Sequence, residues 1–126
     1  MAVVVGYVPT KEGAAALRRA ASEAVVRGTP LVVLDSARSD GEDQTPDAHA
    51  QLEALAEEDV SYEVRTVAPG QDATDELLRI AEDESADLLV IGLRRRSPVG
   101  KLILGANAQR ILLDAACPVL AVKPSE

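Results

Sequence analysis

Five short apolar runs punctuate the chain: Ala2–Tyr7 (AVVVGY), Pro30–Asp35 (PLVVLD), Val60–Ala68 (VSYEVRTVA), Asp87–Leu93 (DLLVIGL) and Pro118–Lys123 (PVLAVK). Four are nearly continuous in Val, Leu and Ile, the pattern of parallel strands buried on both faces. The third alternates, with Tyr62, Val64 and Thr66 to one side and Ser61, Glu63 and Arg65 to the other. A half-exposed strand at a sheet edge alternates in this way.

The intervening segments carry helical spacing. Residues 12–27 set Ala16, Leu17, Ala20, Ala24 and Val25 on one stripe, with Arg18, Arg19, Glu23 and Arg27 outside it, and Gly28 stops the helix. Thr45-Pro46-Asp47 supplies an N-cap, a first-turn proline and an acid that suits the helix dipole, so it predicts a helix carrying Leu52, Leu55 and Ala56. Residues 73–84 place Leu77, Leu78 and Ala81 together, and residues 106–115 place Ile111, Leu112 and Ala115. Strand and helix therefore alternate from end to end. The alternation predicts one α/β domain over residues 1–126, a parallel sheet with helices on both faces and right-handed crossovers. The polar, turn-rich residues 36–46 read as a surface loop.

Composition narrows the picture. A chain of 126 residues suits a single core, and an apolar content of 47% excludes a disordered chain. With no Phe, no Trp and two Tyr, the core must be aliphatic. The net charge of −8 repels nucleic acid phosphates and anionic membranes, so neither is expected as a partner. One cysteine, Cys117, excludes an internal disulfide and fits a reducing compartment. The N-terminus has no basic segment ahead of a long apolar run, and no stretch approaches a membrane span. A cytoplasmic protein is expected.

Open α/β sheets bind ligands beyond the carboxyl ends of their strands, where strand order reverses. The segment after the first strand, GYVPTKEG, carries neither a dinucleotide fingerprint nor a P-loop. Asp35, closing the second strand, is read as ordering its own turn, with a hydrogen bond to a ribose as the alternative. The segment after the fourth strand is distinctive. Leu88 to Leu113 holds no acidic residue but holds Arg94, Arg95, Arg96, Lys101 and Arg110. Gly92 ends that strand and lets a ligand approach the backbone, and Gly105 precedes the last helix, whose free N–H groups favour a phosphate. An anion site is the reading preferred over a solvated basic loop.

No dedicated catalytic set is visible. His49 falls on the second predicted helix, and Cys117 sits among apolar residues, where it is expected to be buried and inert. A phosphoacceptor receiver domain is rejected, because Val8-Pro9 and Ala68-Pro69 stand where its acids belong. A Ser-His-Asp or Cys-His hydrolase set is absent.

Ala86–Pro124 (ADLLVIGLRRRSPVGKLILGANAQRILLDAACPVLAVKP) closely resembles the C-terminal signature of the universal stress protein family, and VVVGYVPTKEGAAALRRA resembles its N-terminal strand and helix more loosely. The resemblance implies a three-layer α/β/α, doubly wound, five-stranded parallel sheet of order 3-2-1-4-5, the adenine nucleotide alpha hydrolase-like fold. It implies a stress-response module that binds ATP, with Mg2+ accompanying it, and hydrolyses it slowly at most. The family motif is G-x-x-G, nine residues, then G and Ser or Thr. Gly92 and Gly105 match its first and third glycines, whereas Arg95 replaces the second and Ala106 the hydroxyl. Val8 stands where ATP-binding members place an Asp against the adenosine. The implied pocket comprises Gly6, Val8, Val33, Ile91, Gly92, Arg95, Gly105, Ala106 and Asn107, with the Asn107 amide in place of the lost hydroxyl. Losing the hydroxyl costs about 1–2 kcal/mol, and the three departures together several, enough to take a micromolar site to millimolar. A dimeric interaction or regulatory protein of the same fold, binding no nucleotide, stands as the alternative. The fifth strand is apolar on both faces and lies at a sheet edge, an invitation to pair with another chain. The resemblance implies a homodimer through Val119, Leu120, Ala121 and Val122, unless the C-terminal tail or a helix covers that edge.

Overall fold

The structure, a computed structural model, describes residues 1–8, 11–35, 60–67, 70–93 and 106–123. Five strands are seen there: β1 (Val3–Tyr7), β2 (Leu31–Asp35), β3 (Tyr62–Thr66), β4 (Leu88–Gly92) and β5 (Val119–Val122). Three helices accompany them: α1 (Lys11–Arg27), α2 (Ala73–Asp83) and α3 (Ala106–Asp114). All strand pairs are parallel and the order is β3-β2-β1-β4-β5, so β1 lies at the centre between β2 and β4. The strand order reverses there, between a path running outward to β3 and one running outward to β5. The helix expected around Leu52, Leu55 and Ala56, the loop 36–46 and His49 lie outside the described residues.

Continuous aliphatic runs become two-sided strands because each face of the sheet has its own helical cover. Val3, Val5, Tyr7, Leu31, Val33, Leu88 and Val90 pack with α1. Val4, Val32, Leu34, Leu89 and Ile91 pack with Leu77, Ile80 and Ala81 of α2 and Ile111 of α3. Burying one such side chain contributes about 1.5–3 kcal/mol. The result is the three-layer architecture expected, helices over both faces of one parallel sheet.

The contact stripe of α1 is made of small residues. Ala16, Ala20, Ala21 and Ala24 are buried with Leu17, so the helix axis sits close to the strands. Val25, expected on this stripe, is exposed instead, and Val26 more so. The outer face carries Glu23 between Arg19 and Arg27, at 3.3 Å each. The C-terminus is a Schellman cap. Gly28 has φ +67°, its N–H donates to Val25 O, and Thr29 N–H donates to Ala24 O. Only glycine adopts that conformation without strain, which is why the helix ends there.

β3 lies at the sheet edge as expected, with its residues alternating between two sides, but the burial does not follow the sides strictly. Tyr62 and Val64 do pack against the α1 face, but Thr66 is exposed and Arg65 is half-buried. Arg65 is drawn in by ion pairs with Glu63 at 2.9 Å and Glu84 at 2.7 Å, the latter on the residue that ends α2. Hydrogen bonds from Arg65 hold the Glu63 carboxyl below its usual range, and its carboxylate partners raise Arg65 in turn. Arg65 keeps the side that alternation gives it, opposite Tyr62 and Val64, and the ion pair with the end of α2 accounts for its partial burial there.

Candidate functional site

At the carboxyl end of the sheet, over the point where strand order reverses, is a cavity of about 170 Å³. Its floor is the end of the central strands: Gly6 of β1 with Val8 just beyond it, Leu34 of β2, and Ile91 and Gly92 of β4. Gly13 of α1 borders it on one side. Ala73, Thr74 and Leu77 of α2 and Asn107 and Ile111 of α3 complete the wall.

Three glycines shape this end of the fold by close packing. A Cβ on Gly13 would overlap the carbonyl oxygen of Val8, and a Cβ on Gly92 would overlap that of Glu12. A Cβ on Gly6 would stand 2.9 Å from Leu77 Cδ2. At Gly92 it is the backbone of the first turn of α1 that comes close, where approach by a ligand was the expectation. Gly13 meets the backbone of Val8 just upstream in the chain, where β1 gives way to the first turn of α1.

α2 is held in place by its cap. Asp72 Oδ1 accepts from the N–H of Thr74 at 2.7 Å and of Asp75 at 3.4 Å, which stabilises the turn that forms the cavity wall. Asp75 then pairs with Arg110 of α3, and Arg110 also meets Asp114 at 3.8 Å. Arg110, counted above among the cations of an anion site, thus has its charge matched by two carboxylates.

Of the residues expected at the pocket, Gly6, Val8, Ile91, Gly92 and Asn107 come together around the cavity. Val33 is fully buried on the α1 face, and its neighbour Leu34 lines the cavity instead. Adjacent residues of a strand face opposite sides, so a shift of one position exchanges them. Ala106 is the first residue of α3, while Arg95 and Gly105, with Arg94, Arg96 and Lys101, lie outside the described residues. Asp35 is half-buried, takes part in an interaction of its own, and is not among the lining residues. Leu34, Gly13, Thr74, Leu77 and Ile111 were not anticipated. Periodicity marked Leu77 and Ile111 as core, and nothing local marked Thr74.

The described lining is neutral. Aliphatic side chains dominate it, Thr74 and Asn107 are its polar side chains, and no charged residue is among them. Asn107 is exposed in the first turn of α3, where free N–H groups and the helix dipole favour an anion. The arrangement suits a ligand with an uncharged apolar body in the cavity and a negative group near α3. Among the described residues no group of three or more His, Cys, Asp or Glu is placed to hold a metal ion. Cys117 is half-buried against the α2 and α3 side; burial, and then the Asp87 carboxylate, push its thiol above the ordinary value.

Comparison with known proteins agrees with this geometry. A universal stress protein of Mycolicibacterium smegmatis is 42% identical over 97% of each chain. The solved structure of a universal stress protein from Archaeoglobus fulgidus is 30% identical, covers 98% of each chain and superposes with a TM-score of 0.79. Another, the Archaeoglobus fulgidus protein in complex with dAMP, shares the fold at 24% identity, 98% coverage of each chain and a TM-score of 0.74. The universal stress protein family model matches residues 1–123, and this chain belongs to that family.

Proposed function

We propose that this chain is a cytoplasmic stress-response module that binds ATP, or a related anionic nucleotide, weakly at the cavity over β1 and β4, and acts as a homodimer through β5. The observation that carries the reading is the place of the cavity. It opens where strand order reverses, with Gly6, Val8, Ile91 and Gly92 at its floor and Asn107 at the start of α3. The fold relative solved with dAMP supports a nucleotide as the ligand class. The aliphatic walls would take the base and sugar, and the N–H groups of α3 the phosphates. Mg2+ would arrive with the phosphates. Val8, in place of an acid, accounts for weak rather than tight binding, and hydrolysis would be slow at most. No helix among the described residues is long and apolar enough to cross a membrane, which is compatible with the cytoplasm.

A second reading, a dimeric interaction protein that binds no nucleotide, is favoured by one observation. Arg110, the cation described nearest α3's first turn, is engaged by Asp75 and Asp114. Thermal unfolding with ATP, ADP, AMP and cyclic AMP separates the two. A nucleotide at ten times its Kd stabilises by about 1.4 kcal/mol, a rise in Tm of about 4–7 °C for a domain of this size. A rise with any of the four at millimolar concentration supports the nucleotide reading. No shift with any of them leaves the interaction module.

A further inference from the structure

Two helices wall the cavity, and an ion pair ties them together beside it. Ala73, Thr74 and Leu77 come from α2, and Asn107 and Ile111 from α3. Asp75 follows Thr74 in the chain, Arg110 precedes Ile111, and these two pair from one helix to the other. Neither lines the cavity itself. Arg110 is three positions along α3 from Asn107, which makes the two neighbours on the helix surface. A phosphate seated at the first turn of α3 therefore lies about 5 Å along the axis from Arg110, within reach of its side chain.

The pair is also exchangeable. The side chains of Arg110 and Asp75 are 45% and 57% exposed, and exposed pairs contribute little to stability. The second carboxylate, Asp114, stands 3.8 Å from Arg110 Nε and four residues further on. A cation placed before its acid is the weaker order on a helix, and an acid in the last turn faces the negative end of the dipole. A phosphate at the other end of α3 meets the positive end and offers the guanidinium a two-pronged partner. It is the stronger competitor for the same cation.

We infer that Asp75 is a specificity-determining residue of this site, its carboxylate competing with the phosphate of a bound nucleotide for the Arg110 guanidinium. The inference rests on the nucleotide reading above. A phosphorylated ligand gains Arg110 only by displacing Asp75, and leaves that carboxylate unpaired beside its own negative charge. A nucleoside, with no phosphate, leaves the ion pair alone. Asp75 therefore narrows the advantage of a nucleotide over its nucleoside, and acts through Arg110.

The test is calorimetric titration of the parent, Asp75→Asn and the double variant Asp75→Asn/Arg110→Gln with adenosine and AMP. Both positions are exposed, so the variants leave the core intact. Asp75→Asn is expected to bind AMP about 3- to 10-fold more tightly than the parent and adenosine within about twofold of it. In the double variant the affinity for AMP is expected to fall back to the parent level or below, as a coupled pair requires. A gain for AMP that survives Arg110→Gln is charge repulsion alone and overturns the inference. An equal gain for adenosine marks a change in the cavity walls and overturns it too, as does AMP binding that is unchanged or weakened in Asp75→Asn. Each of these results leaves the nucleotide reading intact. A parent and an Asp75→Asn protein that both bind neither probe overturn the two together.

Discussion

The carbonyl oxygen of Glu12 occupies the space that a Cβ on Gly92 would fill, so the first turn of α1 and the end of β4 meet backbone to backbone. Gly92 also lines the cavity, while the position a side chain would take there is filled by α1. Gly92→Ala must push α1 away from the sheet, because a backbone carbonyl has no rotamer to change. The expected cost is about 1–3 kcal/mol, as for overpacking in a core. Gly6→Ala is the contrast. Its new methyl meets the flexible end of Leu77 at 2.9 Å, so it should cost less stability while taking volume from the cavity. Denaturant unfolding of the two variants checks the order. A Gly92→Ala protein as stable as the parent would show that α1 is not seated as described.

That pairing also marks where reading the chain alone reaches its limit. The strands were legible because Val3–Tyr7, Leu31–Asp35 and Leu88–Gly92 are buried on both faces, and continuous aliphatic sequence has few other uses. The end of α1 was legible because Gly28 does a job that other residues do with strain. Roles that depend on contacts between distant segments were not legible. Gly92 is small because of Glu12, Arg65 is half-buried because of Glu84, and Arg110 is paired with Asp75, which is 35 residues away. The candidate site shows the same division. Gly6, Val8, Ile91, Gly92 and Asn107 follow from strand ends and the family motif, whereas Leu34 and Thr74 needed the register of β2 against β1 and the seat of α2 on the sheet.

Cys117 predicts a pH dependence. Burial and Asp87 raise its folded pKa, so the unfolded chain ionises first, near pH 8.5. Between that pH and the folded pKa the native state holds more protons than the unfolded one, and stability falls as pH rises. The contribution is complete below about pH 8.5 and is lost through the folded pKa. The difference in unfolding free energy between parent and Cys117→Ala should therefore shrink from pH 7 to pH 10. A maleimide should also label the native thiol at pH 8 more slowly than it labels glutathione. Equal labelling rates would contradict a raised pKa.

The β5 edge predicts assembly. Among the described strands β5 pairs with β4 alone, and all four of its residues are half-buried. Leu120 and Val122 lean on the α1 side, while Val119 and Ala121 lean on the side of α2 and α3. A partner strand would take up the free N–H and C=O groups and cover both flanks. Sedimentation at tens of micromolar should show a dimer that dissociates on dilution. A monomer throughout that range would remove β5 as an interface.

Val8 offers the sharpest control on affinity. It sits at the rim of the cavity, 38% exposed, and its packing against Gly13 is made by its backbone, so its side chain can change without unseating α1. A carboxylate there would also lie close to the first turn of α1, a placement worth about 0.3–1 kcal/mol to the fold. In the cavity it would accept hydrogen bonds from ribose hydroxyls, each worth about 1.5–3 kcal/mol when one partner is charged. Val8→Asp should therefore bind adenosine about 10- to 100-fold more tightly than the parent. ATP should gain less, because the new charge repels the triphosphate while it holds the sugar. Val8→Asn separates the two effects, keeping a hydrogen-bonding group without charge and narrowing the gap between adenosine and ATP. Titrations of the three proteins with both ligands decide the matter: a gain for ATP larger than for adenosine, or none for either, would place the sugar away from the end of β1.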